Sequence, residues 1–186
     1  MKTIYYGASS LNGFIADENN SLDWLFQFSG EPPDFDSFIS KVGAIAMGST
    51  TYQWIYDHQI AHKPGQLEPW PYQAPCWVFT TRELPQIPNA EINFVKGDVK
   101  PVHDKMTQAA KGKNIWVMGG GELAGQFYDA KLLNEIVWQL APLTLKGGAP
   151  VFPRTTNPPL KLITVNKAAA PFVELRYEVA YTQHNK

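Results

Sequence analysis

Two short glycine-bearing stretches carry most of the legible chemistry in this 186-residue chain: Gly48-Ser49-Thr50-Thr51 and, further along, Gly119-Gly120-Gly121-Glu122-Leu123. Each follows an apolar run, "GAIAM" or "NIWVM", and leads into a segment of helical character, "STTYQWI" or "ELAGQFYDAKL". At a strand-to-helix junction glycine lets backbone amides approach a ligand closely. The helix N-terminus adds the positive end of its dipole, so a phosphate is the natural guest. The same residues also suit a helix-entry turn that binds nothing. A third stretch, Thr80-Thr81-Arg82, follows the apolar run "CWVF". Two hydroxyls and a planar forked cation suit a phosphate, and a turn facing solvent would use the same residues.

Gly119, Gly121 and Ala124 fit the Gly-x-Gly-x-x-Gly/Ala form of a dinucleotide-binding turn. Two features exclude a standard Rossmann domain. That fingerprint opens its domain on the first strand, whereas most strand-like runs here lie upstream of Gly119. The strand after the helix, "EIVWQLAP", ends in Gln139, Leu140, Ala141 and Pro142, without the acid that holds an adenine ribose. His58 and His62 have a helical spacing that could hold a metal, but Lys63, Pro64 and Gly65 end any helix and no third ligand is evident. Cys76, the only cysteine, opens an apolar strand and reads as buried filler rather than a nucleophile. No Gly-x-Ser-x-Gly element supports a serine hydrolase.

The elements that must position these residues follow from hydrophobic patterning. Strands are expected at 3–9, 13–17, 43–48, 76–81, 91–95, 114–119 and 135–145, with helices at 21–28, 34–42, 49–55, 102–113 and 122–132. This alternation implies an α/β sheet, mainly parallel, with helices on its faces. The last two runs, 160–169 and 172–183, are separated by only a short Ala-Pro turn and must pair antiparallel, because a parallel return needs about a dozen connecting residues. With 44% hydrophobic residues and no linker or repeat, the expectation is one domain over 1–186. A net charge of -1 and no basic stripe argue against nucleic acid, and no apolar run could cross a bilayer. With a single cysteine and no signal-like start, a cytoplasmic setting is expected.

Taken in order, "SSLNGFIAD" (9–17), "AIAMGSTTYQWI" (44–55), "IWVMGGGELAGQFYDAKLLNEIVWQLAP" (115–142) and "KGGAPVFP" (146–153) resemble the dihydrofolate reductase superfamily. Within it they are most similar to the riboflavin-biosynthesis reductase, or RibD C-terminal, group. The resemblance covers essentially the whole chain. It implies a three-layer α/β/α fold with a mixed, mainly parallel sheet and a C-terminal antiparallel hairpin. It also implies an NADPH-dependent reductase acting on a small pterin- or pyrimidine-type substrate, such as 5-amino-6-(5-phosphoribosylamino)uracil. Rival readings on the same fold are dihydrofolate reductase and a nucleotide-binding protein without turnover. No counterpart of the zinc-binding deaminase half of bifunctional riboflavin enzymes is present, so the reductase part alone is expected.

In such reductases the cofactor lies across the carboxyl ends of the strands. By resemblance, Gly48, Ser49, Thr50 and Thr51 would hold its phosphates from one side and Gly119, Gly120, Gly121, Glu122 and Leu123 from the other, with a cis peptide between Gly119 and Gly120. Thr80, Thr81 and Arg82 match the region holding the adenosine 2'-phosphate, which favours NADPH over NADH. Hydride transfer also calls for a proton, from a carboxyl group or an ordered water. The family's acid corresponds to Asp34 or Asp36, residues that helix capping would equally explain. Relatives often read Ser-Leu-Asp-Gly where this chain has Ser10-Leu11-Asn12-Gly13. Asn12 could hydrogen-bond a nicotinamide amide or a substrate but cannot act as an acid. Trp24, Phe26 and Phe28 are either pocket wall or core. The 57–75 loop, with Trp70 and Tyr72 among prolines, is a lid or the contact of a homodimer, which reductases of this kind commonly form.

Overall fold

The computed structural model describes residues 1–28, 35–167 and 171–182. In chain order its elements are β1 (Thr3–Ser10), β2 (Phe14–Ala16), α1 (Asp23–Phe26), α2 (Phe35–Ile39), β3 (Val42–Gly48) and α3 (Ser49–Ile55), which continues into a π turn at Tyr56–Ile60. There follow β4 (Cys76–Phe79), β5 (Ile92–Val95), α4 (Val99–Ala109), β6 (Asn114–Gly119), α5 (Gly121–Asp129) and β7 (Glu135–Ala141). The chain then forms β8 (Ala149–Pro150), β9 (Lys161–Lys167) and β10 (Val173–Glu178).

Eight strands form one sheet in the order β5-β4-β3-β6-β1-β7-β10-β9, and β2 pairs with β8 in a separate two-stranded ribbon. From β5 to β7 every neighbouring pair is parallel. β10 runs against both β7 and β9, which is the hairpin its short connection requires. The sheet is therefore mixed and mainly parallel, as the alternating pattern implies.

Alternation along the strands divides the core between the two faces. Tyr5, Ala44, Ala46, Ile115 and Val117 pack with Val102 and Met106 of α4 and Leu123, Ala124 and Phe127 of α5. Ile4, Tyr6, Ile45, Met47 and Trp116 face the other way, toward Tyr52 and Ile55 of α3, with Phe35 and Phe38 of α2 packed against that cluster. Burial on both faces explains why β3 reads as a continuous apolar run rather than an alternating one.

Four of the five expected helices differ in extent, α2 and α5 each ending three residues short of the expected 42 and 132. The 21–28 segment is helical only over Asp23–Phe26, and Ser21 still serves it, its Oγ accepting the Asp23 amide at 3.0 Å. α4 begins three residues earlier than its apolar periodicity suggests, because Asp98 caps it by accepting from the Lys100 amide at 2.8 Å. Pro101 is tolerated there, since first-turn amides have no intrahelical partner to lose. Among the described residues no helix is long and apolar enough to cross a membrane.

Candidate active site

β3 and β6 are adjacent and parallel, so the two glycine junctions emerge side by side at the same end of the sheet. The chain leaves β3 toward β4 on one side and leaves β6 toward β7 on the other, which makes this a topological switch point. Open α/β sheets place ligand clefts at such points. A cleft of about 1110 Å³ opens there.

The glycines do different things. A methyl group on Gly48 would reach 3.8 Å from the Gly120 amide nitrogen, so the two turns face each other at van der Waals range. One on Gly119 would press on Thr51 Oγ1 at 3.2 Å. Gly121 is a packing residue: a methyl there would strike the carbonyl oxygens of Pro150 and Val151 at 2.4 and 2.5 Å. The start of α5 can pass under β8 only without a side chain. The Gly119–Gly120 peptide bond is cis, as the resemblance implies. Gly48 and Gly120 stand at the N-cap positions of α3 and α5, and neither helix has a side-chain cap. Their leading amides therefore remain available where Ser49, Thr50, Thr51, Gly121 and Glu122 line the cleft. This cradle, kept open by absent side chains and walled by helix N-termini, fits a phosphate-bearing ligand.

The remaining expected residues separate. Thr80, Thr81 and Leu123 line the cleft. Arg82 does not; it is exposed in a turn where Thr80 Oγ1 accepts its amide at 2.9 Å. Lys96, which sequence reasoning passed over, does line it, beside Gly97. It follows β5 directly, and the Thr80 amide donates to the Val95 carbonyl at 2.8 Å, so Lys96 and the two threonines share one corner. Its signal was a lysine-glycine pair ending a strand.

Glu122 is gripped by Arg154, whose Nη1 and Nη2 donate to its two carboxylate oxygens at 2.9 and 2.7 Å. Arg154 Nε donates to Asp129 at 2.7 Å, and the guanidinium lies over Gly125, where a methyl would sit 2.7 Å from Cζ. The bonds from Arg154 hold the Glu122 carboxyl below its ordinary range, so it is ionised at neutral pH, and it shares that one guanidinium with Asp129.

Asn12 lies outside the cleft. Its side-chain amide is engaged with the Leu145 backbone, accepting from the amide at 3.0 Å and donating to the carbonyl at 2.7 Å, and Ser10 Oγ donates to it at 2.9 Å. Asp36 is exposed on α2 and does not line the cleft either, while its neighbour Phe35 does. Asp34 lies outside the described residues. The three aromatics also part company: Phe26 lines the cleft, Trp24 is buried away from it, and Phe28 meets Phe172 edge-on. The 57–75 loop turns its rings inward. Trp70 packs on Tyr52, and Tyr72 packs edge-on to Trp116 and lines the cleft. His58 stacks on Trp54 at 4.6 Å, and His62 Nδ1 lies 3.2 Å from the Gln59 carbonyl. Cys76 is fully buried, and that burial pushes its thiol pKa far up.

Residues 66–170 match the family model described as the RibD C-terminal domain. That match spans more than half of the chain. The chain belongs to the RibD C-terminal domain family. Among the relatives of this family member is the uncharacterized protein YwjB of Bacillus subtilis (strain 168), 30% identical over 178 residues, 95% of this chain and 97% of that one. The structure of a proposed riboflavin biosynthesis protein from Shewanella sp. PV-4 matches with a TM-score of 0.77 at 25% identity, covering 97% of this chain and all of that one. Dihydrofolate reductase from Enterococcus faecalis, solved with NADP(H), shares the fold at a TM-score of 0.59 and 15% identity, over 95% of both chains. The fold is thus dihydrofolate reductase-like.

Proposed function

We propose that this RibD C-terminal family member is an NADPH-dependent reductase that delivers hydride to a small pterin- or pyrimidine-type ring. The carrying observation is the joining of both glycine junctions with Thr80, Thr81 and Lys96 along one cleft. NADPH, when bound, supplies the hydride. In this reading the amides at the starts of α3 and α5 hold its pyrophosphate. Thr80, Thr81 and Lys96 hold its 2'-phosphate, with Arg82 at the rim, and Arg154, shared with Asp129, offsets part of the Glu122 charge.

The apolar end of the cleft, walled by Leu22, Leu25, Phe26, Phe35, Trp54 and Trp116, takes the ring and keeps bulk water from it. Glu122 is ionised and so is no proton donor. With Asp36 turned to solvent, the proton falls to Asp34 or to an ordered water. The open cleft favours turnover over a fold retained without it. One domain over 1–186, a homodimer and a cytoplasmic setting belong to the same proposal; sedimentation velocity reads the dimer directly.

Titration with NADPH and NADH, followed by tryptophan fluorescence, tests the cofactor assignment, since Trp54 and Trp116 line the cleft. NADPH is expected to bind more tightly, and ring compounds screened at saturating NADPH should include one that drives its oxidation. Failure of both nucleotides to bind would overturn the reading.

A further inference from the structure

We infer that the uncovered apolar face of β9 and β10 is the surface on which two copies of this chain pair, sheet against sheet. It rests on the homodimer of the reading above, not on its cofactor or substrate.

β10 reads Val-Glu-Leu-Arg-Tyr-Glu, a strict alternation that sends Val173, Leu175 and Tyr177 to one face and Glu174, Arg176 and Glu178 to the other. Residues directly opposite in a sheet share a face, so the division runs across three strands. Leu175 stands between Trp138 of β7 and Val165 of β9, and Tyr177 stands between Ile136 and Leu162. On the other face Arg176 pairs with Glu135 at 3.5 Å and Lys161 with Glu178 at 3.8 Å. That face suits water, and the apolar one suits burial.

Among the described residues nothing buries it. It is the face that α4 and α5 cover over β3, β6 and β1, and that cover ends at Ile136 and Trp138. Leu162, Val165, Val173, Leu175 and Tyr177 join neither core cluster. Of the eight large apolar residues left exposed among the described residues, four lie in these two strands: Leu162, Ile163, Val165 and Val173. The stretches outside the described residues bring no large apolar side chain to it. They read Ser-Gly-Glu-Pro-Pro-Asp at 29–34, three alanines at 168–170 and Gln-His-Asn-Lys at 183–186.

The breadth and chemistry of the face select its occupant. Three strands about 4.8 Å apart, with six residues at about 3.4 Å each, make it roughly 14 by 20 Å. One bound peptide strand would cover about a third of that width. A second copy of the same face covers all of it, the two sheets stacking about 10 Å apart. The face supplies the apolar centre of the roughly 800 Å² per partner that a standard interface buries, and Phe152 and Tyr128 continue it beyond Trp138. An apolar centre of this kind is the character of an obligate homodimer. Lys167 is the one charge on this face, at its corner, where its stem can lie along the apolar surface with the ammonium in water. Edge pairing is disfavoured, because β9 laid antiparallel on its own copy about Thr164 sets Lys161 opposite Lys167. The 57–75 loop is the weaker contact, since Trp70 and Tyr72 turn inward.

Sedimentation velocity of the full chain, beside Val165→Lys and Leu67→Lys, tests this at two exposed positions. The unaltered chain and Leu67→Lys are expected to dimerise alike. Val165→Lys buries an unpaired charge in the contact and should raise the dimer Kd about a hundredfold or more, with far-UV circular dichroism unchanged. Val165→Cys gives a second readout that needs no charge: Cys76 is buried, so maleimide labelling reports position 165 and should slow as protein concentration rises through the dimerisation range. A monomeric unaltered chain would overturn the homodimer and this face together. A dimer that withstands Val165→Lys, labelling at 165 that ignores concentration, or dissociation by Leu67→Lys would overturn the face alone.

Discussion

Replacing Lys96 with alanine removes the sole cation lining the cleft among the described residues. Because a hydrogen bond to a charged group contributes about 1.5–3 kcal/mol, the preference for NADPH over NADH should fall at least about tenfold. Fluorescence titration of both nucleotides reads this directly, and an unchanged ratio would move the 2'-phosphate elsewhere. His103 makes a different prediction. Its Nε2 lies 2.8 Å from Thr3 Oγ1, and burial lowers its pKa below the ordinary 6.5, with Asp104 opposing the shift. As pH falls the unfolded chain takes up the proton first, so stability present above about pH 6.5 is lost below it. His103→Gln should flatten urea-denaturation stability between pH 7 and 5. At this scale sequence reading found residue types better than their duties. Thr51 and Thr80 were visible because they follow apolar strands. Lys96 and Arg154 were not, since a lone basic residue after a strand has many uses.

At the scale of elements, Gly121 and Gly120 are neighbours in sequence with opposite expectations. Gly121→Ala drives a methyl into the Pro150 and Val151 carbonyls and should cost roughly 2 kcal/mol or more of stability, since overpacking typically costs 1–3 kcal/mol. At Gly120 the nearest atom to a methyl, Ile15 Cδ1, is at 3.7 Å, so Gly120→Ala should keep most of the stability while narrowing the cleft and weakening NADPH. Thermal melts with and without nucleotide separate the two. Asn12→Ala should remove about 1 kcal/mol or more by breaking the bridge to Leu145, with NADPH affinity unchanged. The strand-to-helix junctions were legible because apolar runs, cap residues and glycines fall in a fixed order. The start of α4 was not, because a capping aspartate at position 98 outweighed the apolar period.

For the whole molecule, a ligand that bridges the ends of several strands should stabilise the fold by mass action. NADPH at a hundred times its Kd contributes about 2.7 kcal/mol, which for a chain of this size raises Tm by roughly 5–10 °C. Scanning calorimetry checks this, and NADH at equal concentration should raise Tm less. The sequence by itself determined the fold class, the parallel core with its antiparallel end, and the two glycine junctions. These are written in local periodicity and in connection lengths. Only the tertiary structure decided that Gly121 serves packing while Gly48 and Gly120 face a cleft, that Asn12 and Asp36 stand apart from it, and that Lys96 lines it. Those facts depend on which residues distant in sequence share one space, and strand order settles that when β3 and β6 come to lie side by side.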